Sequence, residues 1–341
     1  MNTRRKTLLF SLGAVMMLIA SACAPQVETV EVEVTREVEV PVEVVEEVEV
    51  PVEVEVTREV EVEVPAEPEE ETTLERIQRE GVVRVGFANE NPYAFAKPDG
   101  TLSGEAVEVA RAIFTSMGIA EMEGVLTEFG SLIPGLQAGR FDAITAGMYI
   151  KPERCEQVVF ADPEYTIGEG LIVTAGNPFD LHSYEDIAAN PDVRVGTGQG
   201  YFEEQYMTSV GVSPDQITLF PDDPSGVAGI QAGQIDAWTG TAPTLTKLLE
   251  TTGDSNLEFV TDFTQPIIDG ASVAGFGGAA FRYEDVDLRN AFNTELQNLK
   301  DEGVLVDIIG VFEGFGPETL PGDTTVSDLC PGVYDDVELA P

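Results

Sequence analysis

The pattern of apolar and polar residues divides the chain into three parts. An apolar run occupies residues 8–20, and residues 26–71 alternate largely between Val and Glu with occasional Pro. From about residue 72 onward, short β-rich runs alternate with amphipathic helical stretches. This last pattern predicts an α/β fold in which helices cross between the strands of a sheet.

The α/β region contains two similar sets of predicted elements. The first has strands at residues 82–87, 125–127 and 143–146 and helices at 105–117 and 131–138, the latter capped by Ser131. The second has strands at 193–196, 218–220 and 237–239 and helices at 184–188, 201–210, 226–232 and 241–250. Later strands at 271–276 and 279–281 and helices at 286–302 and 304–311 would return to the first set. Two similar sets of strands and helices predict that this region folds into two lobes.

An internal echo supports this repetition. The segment GLQAGRFDA at residues 135–143 is mirrored by GIQAGQIDA at residues 229–237. Each segment places a helix, a glycine stop and an aspartate just before a strand. Chance similarity of two helix ends is the alternative, but a match that spans nine positions favours a repeated unit.

The N-terminal apolar run is too short to span a membrane, and it follows three cations at residues 4–6. It ends in Ala20-Ser21-Ala22-Cys23, which resembles the lipobox of bacterial lipoproteins, where a peptidase cuts ahead of the cysteine and its sulfur receives a lipid. The sequence therefore predicts a signal peptide over residues 1–22 and a lipidated Cys23. A plain signal with an incidental cysteine is the alternative.

Residues 23–71, which begin with the lipidated cysteine, are predicted to form a low-complexity tether. The string EVEVTREVEV occurs twice, while Pro41, Pro51 and Pro65 interrupt the alternation of Val and Glu. Proline disfavours a regular sheet and neighbouring carboxylates repel one another, so we expect an extended, mostly unpacked spacer. A small stacked β-structure or an assembly strand is the alternative, because Val-rich edges invite pairing.

The chain has three cysteines. If Cys23 carries lipid, Cys155 and Cys330 remain. An even remainder in an oxidising compartment predicts one disulfide that ties the C-terminal segment to the body of the protein. Two buried free thiols are the alternative.

Charge and motifs exclude several classes of function. The 62 acidic and 18 basic residues give a formal net charge of −44, so nucleic acid and anionic membrane surfaces are poor partners. No metal-ligand grouping accompanies the single histidine, His182, and the sequence has no P-loop and no CxxC motif. We therefore expect no metal, no cofactor and no catalytic set.

A glycine-rich turn is a weak candidate for binding an anion. Gly198, Gln199 and Gly200 precede a predicted helix, where free backbone N–H groups could face an anionic group. A tight turn between a strand and a helix explains the same residues equally well.

Residues 141–165, FDAITAGMYIKPERCEQVVFADPEY, carry the most informative motif. A strand, a turn, a Pro-Glu-Arg helix start and a hinge approach follow one another as in type II periplasmic binding proteins of the polar amino-acid family, which the chain resembles over roughly residues 73–331. The resemblance implies two lobes, each a mixed sheet flanked by helices, and a two-strand hinge. It also implies that Arg154 grips a ligand carboxylate, which a guanidinium can hold bidentately. Surface pairing of Arg154 with Glu153 or Glu156 is the alternative.

The resemblance is most specific to the ectoine and hydroxyectoine-binding proteins. Residues 88–93, 128–140, 154–155, 278–282 and 329–330 carry it. That subgroup encloses a cationic ring with three aromatic side chains, which map to Tyr93, Phe129 and Tyr149, and its Glu near the ring nitrogens maps to Glu90. Aromatic faces attract a desolvated cation by ~2 kcal/mol per good contact. Core packing is the alternative for the three rings.

One departure from the family bears on the solute. Amino-acid binders usually carry an Asp in the second lobe for the α-ammonium, and this chain has Thr241 at that place. A primary ammonium would be poorly paired there, whereas a delocalised ring cation needs the carboxylate less. Trp238, the only tryptophan, would either cover the ligand or pack in the core.

These features predict lobe 1 at residues 72–170 and 271–335, lobe 2 at 171–270, and crossing strands near 165–173 and 263–274. They predict a monomeric receptor, anchored by lipid outside the cytoplasmic membrane, that delivers an ectoine-like solute to the permease subunits of an ABC importer. A polar amino acid or another small zwitterion is the alternative solute. An enzyme is a third interpretation, since the fold also hosts dehydratase activity, with Glu90 as the obvious proton-transfer group.

Overall fold

A computed structural model describes residues 71–268 and 270–340. The predicted signal peptide at residues 1–22, Cys23 and the predicted tether up to residue 70 lie outside the described residues. Within the described ranges, no helix combines the length and the apolar character needed to cross a bilayer.

The described residues form sixteen strands and eleven α-helices. The strands are β1 (Val82–Phe87), β2 (Phe95–Ala96), β3 (Leu102–Ser103), β4 (Glu121–Leu126), β5 (Ala143–Ile144), β6 (Val159–Phe160), β7 (Tyr165–Ile167), β8 (Glu169–Thr174), β9 (Val195–Gly198), β10 (Ile217–Phe220), β11 (Ala237–Thr241), β12 (Leu257–Phe259), β13 (Ile267–Ile268), β14 (Ala271–Ser272), β15 (Gly275–Gly277) and β16 (Ala280–Phe281). The helices are α1 (Thr73–Glu80), α2 (Glu105–Ser116), α3 (Leu132–Gln137), α4 (Pro152–Cys155), α5 (Tyr184–Ala189), α6 (Glu203–Ser209), α7 (Asp223–Gln231), α8 (Ala242–Thr252), α9 (Val286–Asp301), α10 (Val304–Ile309) and α11 (Val326–Leu329).

Two mixed sheets organise these elements. The first sheet has the order β4-β1-β5-β16-β6, and the second has the order β10-β9-β11-β8-β12. In each sheet three parallel strands are followed by two antiparallel pairings. The predicted mixed α/β fold is therefore confirmed, and the two sheets share one arrangement of strands.

The nine-residue echo corresponds to the same local geometry in both sheets. Asp142 Oδ2 accepts a hydrogen bond of 2.9 Å from the Arg84 backbone N–H, and Asp236 Oδ2 accepts one of 2.9 Å from that of Arg194. Each aspartate thus ties the start of its own parallel strand to the neighbouring strand. The sequence repeat marks equivalent positions in the two sheets.

A short antiparallel pair of strands, β7 and β15, accompanies the passage of the chain between the sheets. Tyr165 pairs with Gly277 in this register. The first crossing was expected near 165–173, where β7 begins, and the second at 263–274. Strand β15 follows immediately after that second range, and residues 267–268 and 271–272 pair as β13 and β14 instead. The predicted strand at 271–276 overlaps β15 at residues 275 and 276, and two of the three residues of β15 are glycines. A side chain at Gly277 would overlap the Tyr165 ring.

Several predicted elements and residues differ from the observed ones in position or role. Strand β4 covers 121–126, where 125–127 was expected, because its alternating face is exposed and carries charges. A 3₁₀ turn at Phe129–Ser131 precedes α3, and Ser131 has helical dihedrals (φ −98°, ψ 0°), so its side chain does not cap that helix. Trp238 is fully buried and packs edge-on against Phe220, which places it in the core and not over the site.

The C-terminal segment is joined covalently to the first sheet region. Cys155, at the end of α4, and Cys330, just after α11, form a disulfide with an S–S distance of 2.00 Å across 175 residues of sequence. Tyr334 follows this link and donates a 2.8 Å hydrogen bond to the Val158 carbonyl. The segment after α10 thus packs against the elements that carry the candidate site.

Candidate functional site

A small cavity lies where residues near the first sheet meet residues of the second. Its lining includes four aromatic rings, one guanidinium and two carboxyl groups. The lining residues are Glu90, Phe129, Gly147, Tyr149, Arg154, Tyr201, Phe202, Glu203 and Thr241. Its volume is about 20 Å³, which is room for about one water molecule.

Arg154 lies at the centre of this lining. It belongs to the single-turn helix α4, which begins at Pro152, a residue pre-set for the first helical position. Its Nη1 donates a 2.9 Å hydrogen bond to the Tyr149 carbonyl, and its Nη2 donates one of 2.8 Å to the Gly200 carbonyl. Burial lowers the pKa of Arg154, but a guanidinium stays charged in proteins. The site therefore contains a permanent, largely desolvated cation.

Two phenyl rings flank this guanidinium. Arg154 Cζ lies 5.4 Å from the Phe129 ring centroid and 5.5 Å from that of Phe202. Phe129 comes from the first sheet side and Phe202 from the turn before α6, so the cation lies between rings of the two sheets. Phe129 also meets Tyr201 edge-on at 5.0 Å. These rings keep the position of the guanidinium fixed and exclude water from it.

Glu90 is held by hydroxyl groups of the opposite sheet. Its Oε1 accepts a 2.8 Å hydrogen bond from Thr244, whose hydroxyl accepts one of 3.0 Å from Thr241. Burial raises the pKa of Glu90, and the Asp223 carboxylate raises it further. Glu90 is therefore a carboxyl group that a ligand cation would ionise.

Tyr149 joins the aromatic rings to a second buried acid. Its hydroxyl donates a 3.1 Å hydrogen bond to Glu169 Oε1. Its ring lies directly against the backbone of β15, where any side chain at Gly275 would overlap it. The glycines of β15 therefore fix this ring in the wall of the cavity.

Asp223 supports the second-sheet side from behind. It accepts hydrogen bonds from the Tyr201 hydroxyl at 3.1 Å and from Trp238 Nε1 at 3.2 Å. Burial is the main cause that raises the pKa of Asp223 to about 7. Asp223 thereby orients the Tyr201 ring at the cavity, and Trp238 contributes as a donor in the core.

Comparison with known proteins identifies the family. Residues 83–312 match the bacterial extracellular solute-binding proteins, family 3. The chain belongs to this family. A probable amino-acid ABC transporter periplasmic-binding protein (y4tE) of Sinorhizobium fredii is 34% identical over 262 residues, which are 76% of this chain and 86% of that protein. The L-cystine-binding protein TcyJ of Escherichia coli is 24% identical over 237 residues, 69% of this chain and 84% of that protein.

Solved structures show the same fold. The crystal structure of EhuB in complex with hydroxyectoine is 38% identical, with a TM-score of 0.70 over 77% of this chain and 99% of that one. An ancestral amino acid-binding protein, a precursor of cyclohexadienyl dehydratase, is 27% identical, with a TM-score of 0.61 over 71% and 99%. This family 3 protein is thus an extracytoplasmic ABC-type solute-binding protein for amino acids or related solutes, and its relatives are transport proteins.

The structure brings together four of the five residues that the resemblance assigned to the solute in this family 3 protein. Glu90, Phe129, Tyr149 and Arg154 all line the cavity. Tyr93 does not: it is 1% exposed and packs against Tyr165 and Phe315, at 5.2 Å and 5.4 Å between ring centroids. Its hydroxyl has no hydrogen-bond partner among the described residues. Tyr93 therefore forms the layer behind the lining.

The glycine-rich turn faces the site differently from the sequence expectation. The Gln199 N–H donates a 2.8 Å hydrogen bond to the Phe220 carbonyl, and Gly198 packs against the Tyr201 ring. The Gly200 carbonyl accepts from Arg154. The turn therefore presents an acceptor to Arg154, whereas the sequence had suggested that its N–H groups would face an anion.

Sequence reasoning named Thr241 but missed three other residues that line the cavity from the second sheet. Tyr201, Phe202 and Glu203 follow the glycine turn directly, and this pair of aromatic residues after a tight turn was the available signal. Elsewhere in the described residues, no cluster of three or more His, Cys, Asp or Glu could hold a metal. His182 is bonded to Asp180 and Asp262 at 3.0 Å and 2.8 Å and does not line the cavity.

Proposed function

We propose that this protein is the lipid-anchored receptor of an ABC importer, that it works as a monomer, and that it binds a small zwitterion with a carboxylate and a delocalised cation. Ectoine and hydroxyectoine are the solutes of this kind that we favour. The observation that carries the proposal is the cavity lining, which combines Arg154, four aromatic rings and the carboxyl groups of Glu90 and Glu203.

Each part of such a solute has a partner in the lining. Arg154 suits the carboxylate because a planar guanidinium can donate two parallel hydrogen bonds. The ring faces of Phe129, Tyr149 and Phe202 suit a delocalised cation, which is attracted to aromatic quadrupoles. Glu90 suits the donor groups on that cation. The similarity to EhuB, solved with hydroxyectoine, supports the same assignment.

Solute access requires the two sides of the cavity to separate. About 20 Å³ holds no solute of this size, and hydrogen bonds from Arg154 to Gly200 and from Thr244 to Glu90 join the two sides. The β7–β15 pair is the natural pivot. Binding then shifts the population toward a closed form that the permease can recognise. On this proposal, residues 171–270 move as lobe 2 relative to residues 72–170 and 271–335.

A polar amino acid is the second candidate solute, and Glu203 is the observation that favours it. Thr241 lacks the carboxylate that amino-acid binders use for the α-ammonium, but Glu203 brings a buried carboxyl group to the same cavity. A salt-bridged ammonium there would be compatible with Arg154 on the carboxylate.

A solute panel tests the proposal. We expect thermal shift and calorimetry to show the largest stabilisation with ectoine or hydroxyectoine, compared with glycine betaine, proline, glutamine and arginine. Tightest binding of glutamine or arginine would favour the second candidate. No stabilisation by any of the six would overturn both.

The anchor and the absence of catalysis have their own tests. Lipid on Cys23 predicts that cells fed a labelled fatty acid label this protein and that Cys23→Ser releases it from the membrane fraction. An unlabelled wild-type protein in the soluble fraction would refute the anchor. We also propose that the protein is no enzyme, and turnover of a prephenate-like or arogenate-like acid would refute that.

A further inference from the structure

Two carboxyl groups that the sequence did not single out lie together at one wall of the cavity. Glu169 is the first residue of β8, and Glu203 is the first residue of α6. Their exposed fractions are 2% and 3%. Glu203 belongs to the lining, and Glu169 accepts a hydrogen bond from Tyr149 of the lining and interacts with the Glu203 carboxyl group. Both acids are thus removed from bulk water and placed beside the solute position.

The hydrogen bonding of this pair is incomplete. Glu169 Oε1 accepts a 3.1 Å hydrogen bond from the Tyr149 hydroxyl, while Glu169 Oε2 is buried and has no partner among the described residues. A buried carboxylate oxygen without a donor is costly, by about 1–3 kcal/mol or more. The arrangement therefore favours a proton on the pair as long as no other cation approaches.

The cations near the pair are engaged by other groups. Lys151 Nζ lies 4.9 Å, 5.0 Å and 5.9 Å from the ring centroids of Tyr206, Phe202 and Tyr149. Arg154 donates to two backbone carbonyls. Within the described part of the chain, neither cation forms an ion pair with Glu169 or Glu203. Tyr149, Tyr184 and Tyr206 also interact with both acids, and the carboxyl groups of Glu90 and Asp223 interact with Glu203.

The electrostatic balance agrees with this geometry. Burial raises the pKa of Glu169, and the Glu203 carboxylate raises it further. Burial also raises the pKa of Glu203, while its interaction with Glu169, and then with Arg154 and Lys151, acts in the opposite direction. Because two carboxylates in one buried site cannot both ionise easily, the pair retains a proton above the ordinary glutamate range.

We propose that Glu203 is a specificity-determining residue that contacts the cationic group of the solute, and that the Glu169–Glu203 pair releases a proton to solvent when that group binds. The inference rests on the proposed zwitterion-binding function. Glu203 would supply a charged group on the second sheet, opposite Arg154. The solute carboxylate and the solute cation would then each be bound from a different side of the cavity.

The expected pH dependence follows from linkage. A solute cation beside Glu203 stabilises the ionised pair, so the loaded protein holds fewer protons than the free protein. Affinity therefore rises with pH in the range above 4.5, the ordinary glutamate value, where the free pair is still protonated and the loaded pair is not.

Titration calorimetry with ectoine tests the proposal. The chain is titrated at several values between about pH 5 and 8, and at each pH in two buffers whose ionisation enthalpies differ. Wild type should release a fraction of a proton per solute and bind more tightly at higher pH. Glu203→Gln should weaken binding at least tenfold and reduce the proton release, and the release that remains would come from Glu90. Glu169→Gln should keep the affinity and reduce the release. Glu204→Gln, an exposed neighbour, is the matched control and should behave as wild type.

The outcomes distinguish a failure of this inference from a failure of the proposed function. Wild-type affinity and undiminished proton release in Glu203→Gln would overturn the role of Glu203 and leave the proposed function intact. A pH-independent wild-type affinity, with equal heats in both buffers, would overturn the proton release. If wild type binds no member of the solute panel, the proposed function fails and this inference fails with it.

Discussion

Arg154 donates a 2.8 Å hydrogen bond from Nη2 to the carbonyl oxygen of Gly200, and so links the solute-binding side of the first sheet to the glycine turn of the second. A solute carboxylate that binds Arg154 through two parallel hydrogen bonds would compete with the Gly200 carbonyl for the same edge of the guanidinium. Without a solute, the hydrogen bond between Arg154 and Gly200 joins the two sides of the cavity. A bound carboxylate would replace this neutral acceptor by a charged one, which forms the stronger hydrogen bond.

The first prediction concerns this guanidinium. Arg154→Ala removes the charged partner of the solute carboxylate and should weaken solute binding by about 2–4 kcal/mol, which is roughly 30- to 800-fold in Kd. Arg154→Lys keeps the charge but loses the planar pair of donors, and an intermediate affinity is expected. Isothermal titration calorimetry with the tightest-binding member of the solute panel measures both.

Arg194→Ala is the matched control for this prediction. Arg194 is half-exposed, binds Asp236 on the second sheet and does not line the cavity. We expect its affinity to stay within threefold of wild type. An Arg154→Ala protein that also stayed within threefold would exclude Arg154 from the carboxylate site.

The second prediction separates Tyr93 from the rings of the lining. The Tyr93 hydroxyl is buried without a hydrogen-bond partner among the described residues, so Tyr93→Phe should leave the solute affinity unchanged and keep or raise the melting temperature. Phe129→Leu removes a ring that lines the cavity and should weaken binding by ~1–2 kcal/mol. Calorimetry and thermal melts of the two variants give the comparison. A tenfold loss of affinity in Tyr93→Phe would place its hydroxyl on the solute.

The sequence allowed the first-sheet half of the site to be predicted because that half is encoded locally. Arg154, Tyr149 and Glu90 lie in short motifs around strand ends, and open α/β sheets bind ligands there. The motif at residues 88–93 also predicted Tyr93 as a site residue. A motif gives the position of a residue along the chain, but not how deeply its side chain is buried. The Tyr93 ring packs directly against Gly147 of the lining, where an added Cβ would overlap it, and its contact with the solute stays a prediction.

The second-sheet half was less accessible to such reasoning. Phe202 and Glu203 reach the site only through the packing of two sheets that are distant in sequence, and a Phe-Glu pair at a helix start is common on solvated surfaces. Strand β15 was predicted only in part, within the expected strand at 271–276, because its glycines carry no β propensity and are required only by the rings of Tyr149 and Tyr165.

The third prediction concerns stability and pH. Glu105 and Glu164 are fully buried, and none of their four carboxyl oxygens meets a hydrogen-bond partner among the described residues. Burial raises the pKa of Glu164 to about 8. The folded state therefore holds a proton that the unfolded state has lost, so the free energy of unfolding should fall as pH rises from about 4.5 to 8, by at most about 1.4 kcal/mol per unit for one group.

Glu164→Gln tests this assignment. The variant should flatten that slope and be more stable than wild type at pH 8, as measured by urea denaturation at pH 5, 6.5 and 8. Glu156→Gln, at an exposed position eight residues earlier in the chain, should keep the wild-type slope. A wild-type stability that rises from pH 5 to 8, with Glu164→Gln unchanged from it, would contradict the raised pKa.

The fourth prediction concerns the Cys155–Cys330 disulfide. The bond closes a loop with a sequence separation of 175 residues, and cross-linking such a loop limits the unfolded chain most strongly. Cys330→Ser should therefore lower the free energy of unfolding by ~2–5 kcal/mol, measured by urea denaturation. Reductant should destabilise wild type by a similar amount and leave a Cys155→Ser, Cys330→Ser double variant unaffected. Two reactive thiols from residues 155 and 330 in unfolded, unreduced wild type would show that the bond does not form.

Because Cys155 directly follows Arg154, we also expect loss of the bond to weaken solute binding, by less than Arg154→Ala does.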